Sequence, residues 1–259
     1  MTSGVRATLA LAGRSAVSVA RQPQLVMPSF LFPLFLVAVN TAALGRATSL
    51  PAFPDVDSML DFLVATVIVQ GTLFGAIGSG ADLAQDIETG FFDRLVAAPV
   101  PRLSILLGRM GGAVVLGATQ VIGFVVVLVA FGAEVKGGLA GFAVLVVLGM
   151  MLATGIGGLA MAMALRTGSS EAVQGAFPLF FVLLFTSSAF FPRELMRGWY
   201  GAVADVNPLS YLIEGARRLV TDGWSLGDAA QTLGVAGAII VISFALASSA
   251  LRWRVRGET

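Results

Sequence analysis

Apolar residues in this chain arrive in blocks of about twenty, the length of helix that crosses roughly 30 Å of hydrocarbon. Apolar side chains make up 57% of the 259 residues and charged ones only 12%, about half the charge of an ordinary soluble domain. The chain therefore reads as all-α and polytopic, a single transmembrane domain over 1–259. Six spans follow from the hydropathy pattern, at 25–44, 59–80, 103–132, 139–165, 172–191 and 229–251. The third and fourth are the longest and tilt or extend past the bilayer. Only a few residues around Lys136 separate them, so they form an antiparallel hairpin.

Composition excludes several kinds of chemistry. There is no histidine and no cysteine, which removes disulfides, thiol nucleophiles, zinc sites and imidazole acid–base catalysis. Lys136 is the single lysine and is followed by glycine, so the Gly-Lys-Ser/Thr of a phosphate-binding loop is absent. A net charge of +1, spread over scattered basic residues, gives no nucleic-acid footprint. No paired carboxylates lie at depth within a span, so no catalytic, cofactor-binding or metal-ligating set is read. The start of the chain interleaves Arg6, Arg14 and Arg21 with short apolar stretches and lacks the apolar region of a secretory signal. Residues 1–22 are expected to lie flat on the inner surface as an interfacial helix. Placing both termini inside puts ten of the sixteen basic residues on the inner face, the sense that the positive-inside rule favours.

The segment from Asp82 to Arg102 is too polar for hydrocarbon yet is patterned as a helix. Leu83, Ile87, Phe91 and Leu95 recur every four residues, and Asp82, Asp86, Glu88, Asp93 and Arg94 cover much of the rest. A stripe with no lipid to bury it needs a protein groove, so 81–102 reads as a cytoplasmic loop gripped by a soluble partner, with Phe91 or Phe92 as anchor. The competing reading is an ordinary inner-leaflet loop. In the next inner loop, Glu171 behind Ser169 and Ser170 reads first as a capped helix start.

Polar groups within the spans include Asn40, Thr41, Gln70, Thr186, Ser187 and Ser188. They line a wetted path or serve as glue between helices. With Phe74 they define the expected substrate path, whose mainly Phe, Leu and Val lining suits an apolar or amphipathic cargo better than an ion. The glycine pairs Gly71/Gly75, Gly108/Gly112 and Gly137/Gly141 read as close packing within one subunit. Residues 192–228 are neither a clean span nor a clean loop. A short helix over 209–220, introduced by Asn207-Pro208, is expected to dip into the outer leaflet. On it Glu214 and Arg217, three apart, form either an exit gate or a local ion pair.

Three stretches taken in order resemble a known family over nearly the whole chain. Arg21-Gln-Pro with Phe32-Pro33 is the first. Asp86-Ile-Glu-Thr-Gly90-Phe-Phe-Asp-Arg-Leu95, Ala98-Pro99-Val-Pro-Arg102 and Gly108-Arg109 form the second. Ser187-Ser-Ala-Phe-Phe-Pro192, Trp199 and Asn207-Pro-Leu-Ser-Tyr211-Leu212 with Arg217 form the third. Together they resemble the permease subunit of type-2 ATP-binding-cassette exporters, in the daunorubicin-type drug-resistance branch. Ala98 and Pro101 stand where the family usually carries hydroxyl residues, so a side chain able to cap the next helix is missing.

The resemblance implies six transmembrane helices, a cytoplasmic coupling helix, short outer re-entrant helices and a bacterial inner membrane location. It makes Asp82, Asp86, Glu88, Gly90, Phe91, Phe92, Asp93, Arg94 and Leu95 the contact for separate ATPase subunits. Asn207, Tyr211, Glu214 and Arg217 become the outer gate, and a second permease, identical or related, the partner across the path. ATP and magnesium belong to the ATPase partners, and this chain is not itself an enzyme. The expected function is export of an amphipathic drug-like or lipid substrate, as in multidrug resistance. The alternative is a secondary transporter or channel that works without an ATPase.

Overall fold

The computed structural model describes residues 10–13, 17, 23–49, 53–98 and 101–257, and these form helices and turns with no strand among them. In chain order they are α1 (Pro23–Leu44), a 3₁₀ turn (Gly45–Ser49), α2 (Met59–Glu88), α3 (Phe91–Ala97), α4 (Arg102–Ala130), α5 (Gly138–Thr167), α6 (Ser170–Gln174) and α7 (Phe177–Phe185). A second 3₁₀ turn (Arg193–Leu195), α8 (Trp199–Val206), α9 (Pro208–Thr221) and α10 (Leu226–Gly257) complete them.

The centre of the bundle is α2, with α1, α4, α5 and α9 packed around it. Ser58 caps its start by accepting from the Asp61 N–H at 3.1 Å, and every residue from Asp61 to Phe74 is buried. A helix that is apolar all round must be enclosed on every side, and this stretch of α2 is. As expected, α4 and α5 form an antiparallel hairpin. Their backbones approach where Gly117 meets Gly149, and a Cβ added to Gly80 of α2 would stand 2.5 Å from that of Ala160 on α5. Without a hydrophobic drive between helices in lipid, such small-residue contacts are how spans pack. The glycine pairs behave accordingly: Gly71 and Gly75 face Phe124 and Gln120 of α4, Gly108 faces Leu11, and Gly137 and Gly141 face the Leu219 carbonyl.

Five helices (α1, α2, α4, α5 and α10) contain stretches long and apolar enough to cross a bilayer. The fifth expected span, over 172–191, is not one long helix. In its place stand the five residues of α6, a break at Gly175–Ala176, the nine residues of α7 and a turn. Pro178 supplies the cause, since its ring excludes the Gln174 carbonyl and it has no N–H to give. At the far end Thr186 and Ser187 turn their hydroxyls back onto the Val182 and Leu184 carbonyls at 2.9 and 2.5 Å, which closes the helix there. The broken segment still runs along α2, from Ser170 beside Glu88 to Ala189 beside Thr66.

The expected short helix after Asn207-Pro208 is α9, 14 residues long. Asn207 caps it by accepting from the Leu209 N–H at 2.9 Å, and Pro208 occupies its first turn. Of the expected interfacial helix at 1–22, residues 10–13 and 17 are described and helical. The remainder, with Arg6, Arg14 and Arg21, lies outside the described residues.

Candidate functional site

At one end of the bundle the charged segment is not the single helix that its four-residue spacing suggests. The run from Asp82 to Glu88 is the last part of α2, and Gly90 then takes a left-handed conformation, φ +70°, which a side chain would oppose. The chain turns there into α3. The expected stripe is cut in two: Leu83 and Ile87 are buried in a cluster with Ile105, Leu106, Leu165, Val173 and Leu251, and Phe92 joins them at 1% exposure. Phe91 is half-buried and Leu95 packs against the cluster's edge. Phe92 therefore anchors α3 to its own bundle rather than to a partner. Asp93 and Arg94 are the exposed charges of α3.

The carboxylates before the turn have partners on two other elements. Asp86 forms an ion pair with Arg109 of α4, while Asp82, one turn earlier, is half-buried. Glu88 accepts from the Ser170 N–H at 2.7 Å and from its hydroxyl at 3.0 Å, tying the end of α2 to the start of α6. Ser169 caps α6 through the Ala172 N–H at 3.2 Å with Glu171 in the first turn, as its sequence context suggests. Arg254 of α10 donates to the Leu165 carbonyl at 3.2 Å. These ties make α3 a short handle fixed to the ends of four long helices.

The opposite end is built differently. Arg217 of α9 is 6% exposed and donates to three backbone carbonyls: Phe62 at 3.1 Å, Ser188 at 2.9 Å and Ala189 at 3.1 Å. Its guanidinium carbon sits 3.6 Å from the centroid of the Phe62 ring, within cation–π range. Thr66 donates to the Ala189 carbonyl at 2.6 Å and closes the same knot. Glu214 does not pair with Arg217, so the local ion pair is another correction. Glu214 turns away to a two-pronged contact with Arg193, at 2.9 and 2.6 Å, while Arg193 lies 4.6 Å from the Tyr211 ring centroid. Burial pulls the Arg193 guanidinium down, and its hydrogen bonds to Glu214 and Tyr211 outweigh this, leaving its pKa above the ordinary value. Tyr211 donates to the Asp205 carbonyl at 2.6 Å, and Asn207 donates to the Leu183 carbonyl at 2.7 Å. The four expected gate residues thus share one end of the fold, in three separate contacts.

Around this knot the α4–α5 connection is pinned as well. Asp61 accepts from the Glu134 N–H at 2.7 Å, the Lys136 N–H donates to the Val220 carbonyl at 2.8 Å, and Lys136 meets Asp57 at 2.6 Å. Its hydrogen bond to Asp57 raises the Lys136 pKa.

Residues of the expected path do not share one surface. Gln70 is fully buried in α2, and neither of its side-chain polar atoms has a partner among the described residues. Asn40 donates to the Leu36 carbonyl at 2.8 Å, and Thr41 is half-buried. Ser188 is fully buried, its N–H donating to the Ser210 hydroxyl at 3.2 Å. Phe74 stacks on Phe181 and meets Phe32 and Phe177 at tilted angles in an aromatic seam joining α1, α2 and α7. Sequence reasoning missed Thr66, Arg193, Arg109 as the partner of Asp86, and Ser170 as the partner of Glu88. A hydroxyl inside a span and an arginine directly after Pro192 were the available signals for the first two.

A model of the ABC-2 type transporter family matches residues 6–220. Over 247 residues the chain is 26% identical to the daunorubicin resistance ABC transporter permease protein DrrB1 of Streptomyces coeruleorubidus, covering 93% of this chain and 84% of that one. It is 28% identical over 215 residues to the putative transport permease ycf38 of Porphyra purpurea, covering 82% and 73% of the two chains. With the ycf38 protein of Pyropia yezoensis the identity is 28% over 244 residues, covering 92% and 83%. The matched region takes in the α3 handle and the Arg217 knot alike, and the chain belongs to the ABC-2 type transporter family as a membrane permease subunit.

Proposed function

We propose that this protein is the transmembrane half of an ATP-driven exporter whose ATPase subunits grip α3. The observation that carries the reading is the construction of the handle. A seven-residue helix turned off α2 at Gly90 carries exposed Asp93 and Arg94 on one side and buries Phe92 among the inner ends of the spans on the other. A push on the exposed side has to move the buried side, because close-packed interiors transmit displacement. The load passes to α2 directly and to α6–α7 through Glu88 and Ser170. Closure of ATP-bound partners would rock these elements and open the Arg217 end, a rigid-body switch between inward- and outward-facing states. ATP and magnesium stay on the partners, since the chain offers no loop to cradle phosphate.

In this reading both termini are cytoplasmic, the membrane is a bacterial inner membrane, and the broken α6–α7 segment makes the remaining crossing. The exposed apolar side chains of α1 (Met27, Leu31, Phe35) and α7 (Leu179, Val182) would face lipid or a second permease across the path. The Phe32–Phe74–Phe177 seam beside them suits an amphipathic drug-like or lipid cargo, and the drug-resistance name of the Streptomyces relative supports that class.

Co-purification with the candidate ATPase subunit tests the handle. Asp93→Ala/Arg94→Ala is expected to weaken association about tenfold while membrane insertion persists. Arg197→Ala/Asp222→Ala, exposed near the other end, should leave it unchanged. Equal binding by the α3 variant, or no ATPase bound to the native chain, would overturn the assignment.

A further inference from the structure

The ends of α5 and α10 nearest α3 carry an arginine cluster that the coupling mechanism does not use. Ser249, Arg252, Trp253 and Arg256 fall at i, i+3, i+4 and i+7 on one face of α10, and Arg166 reaches them from the last turn of α5. Together they line a cavity of about 420 Å³ with no acidic side chain in its wall. The Arg166 guanidinium carbon lies 5.0 Å from the centroid of the Trp253 ring, and neither Arg166 nor Arg252 is ion-paired among the described residues. Arg254, on the same helix, is engaged elsewhere, at the Leu165 carbonyl.

A basic residue in the last turn of a helix is explained by the helix dipole. That accounts for one arginine per helix. It does not account for Arg166 and Arg252, neither ion-paired among the described residues, converging with an indole from two helices on one cavity, where like charges repel unless an anion joins them.

We propose that this cavity binds the phosphate of an anionic phospholipid headgroup. Guanidinium forks match phosphate oxygens in two-pronged contacts, and tryptophan sits by preference at headgroup depth. The choice of lipid over free phosphate rests on continuity. Ile242 and Leu246, 57% and 50% exposed, continue the line of Ser249 and Trp253 along α10 at helical spacing, giving an acyl chain a track leading away from the arginines. The lipid would act as a wedge holding the inner ends of α5 and α10 at the membrane surface while α3 moves. The inner-leaflet placement rests on the orientation proposed above.

Tryptophan fluorescence in nanodiscs tests the site. Of the three tryptophans, Trp199 and Trp224 are replaced by phenylalanine, leaving Trp253 as reporter in the full chain. Brominated phosphatidylglycerol should quench Trp253 at a mole fraction about thirtyfold lower than brominated phosphatidylcholine does, and Arg166→Gln/Arg252→Gln should bring the two lipids close to parity. Arg166→Lys/Arg252→Lys, which keeps the charge and loses the fork, should fall between, and it carries the test if the glutamine variant fails to fold. Equal quenching of the native site by both lipids, or a preference that survives the glutamine substitutions, overturns the site. Relief of phosphatidylglycerol quenching by saturating inorganic phosphate would make free phosphate the ligand and overturn the lipid assignment. No ATPase is present in this assay, so its failure leaves the α3 reading untouched. Orientation is read separately, by thiol labelling of Thr167→Cys in this cysteine-free chain: labelling only in broken cells supports a cytoplasmic site, and labelling in intact cells overturns it.

Discussion

At the α9 end of the bundle the ties run from guanidinium groups to backbone carbonyls deep in protein. At the α3 end they start from the carboxylates of Asp86 and Glu88, with Arg254 holding the Leu165 carbonyl alongside. Arg217 has three carbonyls as acceptors and an aromatic ring beside it, and its buried donors would lose all three acceptors if it moved. Glu88 meets Ser170 at the surface, where water can take over from either partner, while Asp86 pairs with Arg109 at about the exposure of Arg193 and Glu214. Breaking a buried set exposes its full desolvation penalty, whereas rearranging a hydrated pair costs little. One end is thus built to stay shut and the other to yield. The proposed mechanism needs that asymmetry, because a push on α3 must shift that end of the bundle before the Arg217 knot opens.

The largest expected effect comes from breaking the tight end. Arg217→Met should lower stability by roughly 1–3 kcal/mol, read as a loss of monodisperse protein and a drop in the thermal unfolding midpoint in detergent. Arg217→Lys should recover less than half, since one ammonium cannot reach carbonyls on two elements at once. A methionine variant as stable as the native chain would mean that the knot contributes nothing and that the two ends do not differ in the way described.

What the sequence made legible was whatever repeats or punctuates locally. Five long apolar runs, the hairpin around Lys136 and the turn at Asn207-Pro208 all follow from length, spacing and proline. The fifth run failed because uniform hydropathy outvoted Gly175 and Pro178, whose effect is on hydrogen bonds and not on transfer to lipid. The α3 segment failed in the same manner: a four-residue stripe reads straight through Gly90, and only the backbone angle there shows the turn. For the gate, Glu214 and Arg217 stand at a spacing that suggests a local pair, yet the partner of Glu214 comes from 21 residues away. The partners of Arg217 are backbone carbonyls, which every residue carries and which leave no trace in a sequence.

A smaller effect sharpens the comparison within the α9 end itself. Arg193 and Glu214 form a two-pronged ion pair with each side chain 21% exposed, intermediate between the buried knot and a surface pair. A double-mutant cycle with Arg193→Lys and Glu214→Gln should give a coupling of about 1 kcal/mol, reduced in high salt. Coupling as large as the Arg217 effect would place the pair in the same closed core. Zero coupling would confine the tight end to Arg217 alone.

The smallest change in stability is expected at the yielding end, and there stability and function should part company. Glu88→Gln keeps an oxygen able to accept the Ser170 N–H but removes the charge that strengthens that bond. The expected loss is about 0.5 kcal/mol, the scale of one exposed charge at the start of a helix. Thermal unfolding should therefore hardly register the substitution. Cargo-dependent stimulation of the partner ATPase should fall several-fold if, as proposed, Glu88 carries motion of α2 into the broken α6–α7 segment. The two readouts decide between the possible roles of this carboxylate. If unfolding shifts as far as it does for Arg217→Met, the α3 end is clamped as firmly as the other and cannot yield first. If neither readout moves, the bond to Ser170 is a surface contact of no consequence, and α6–α7 must be driven through the Phe74 seam instead.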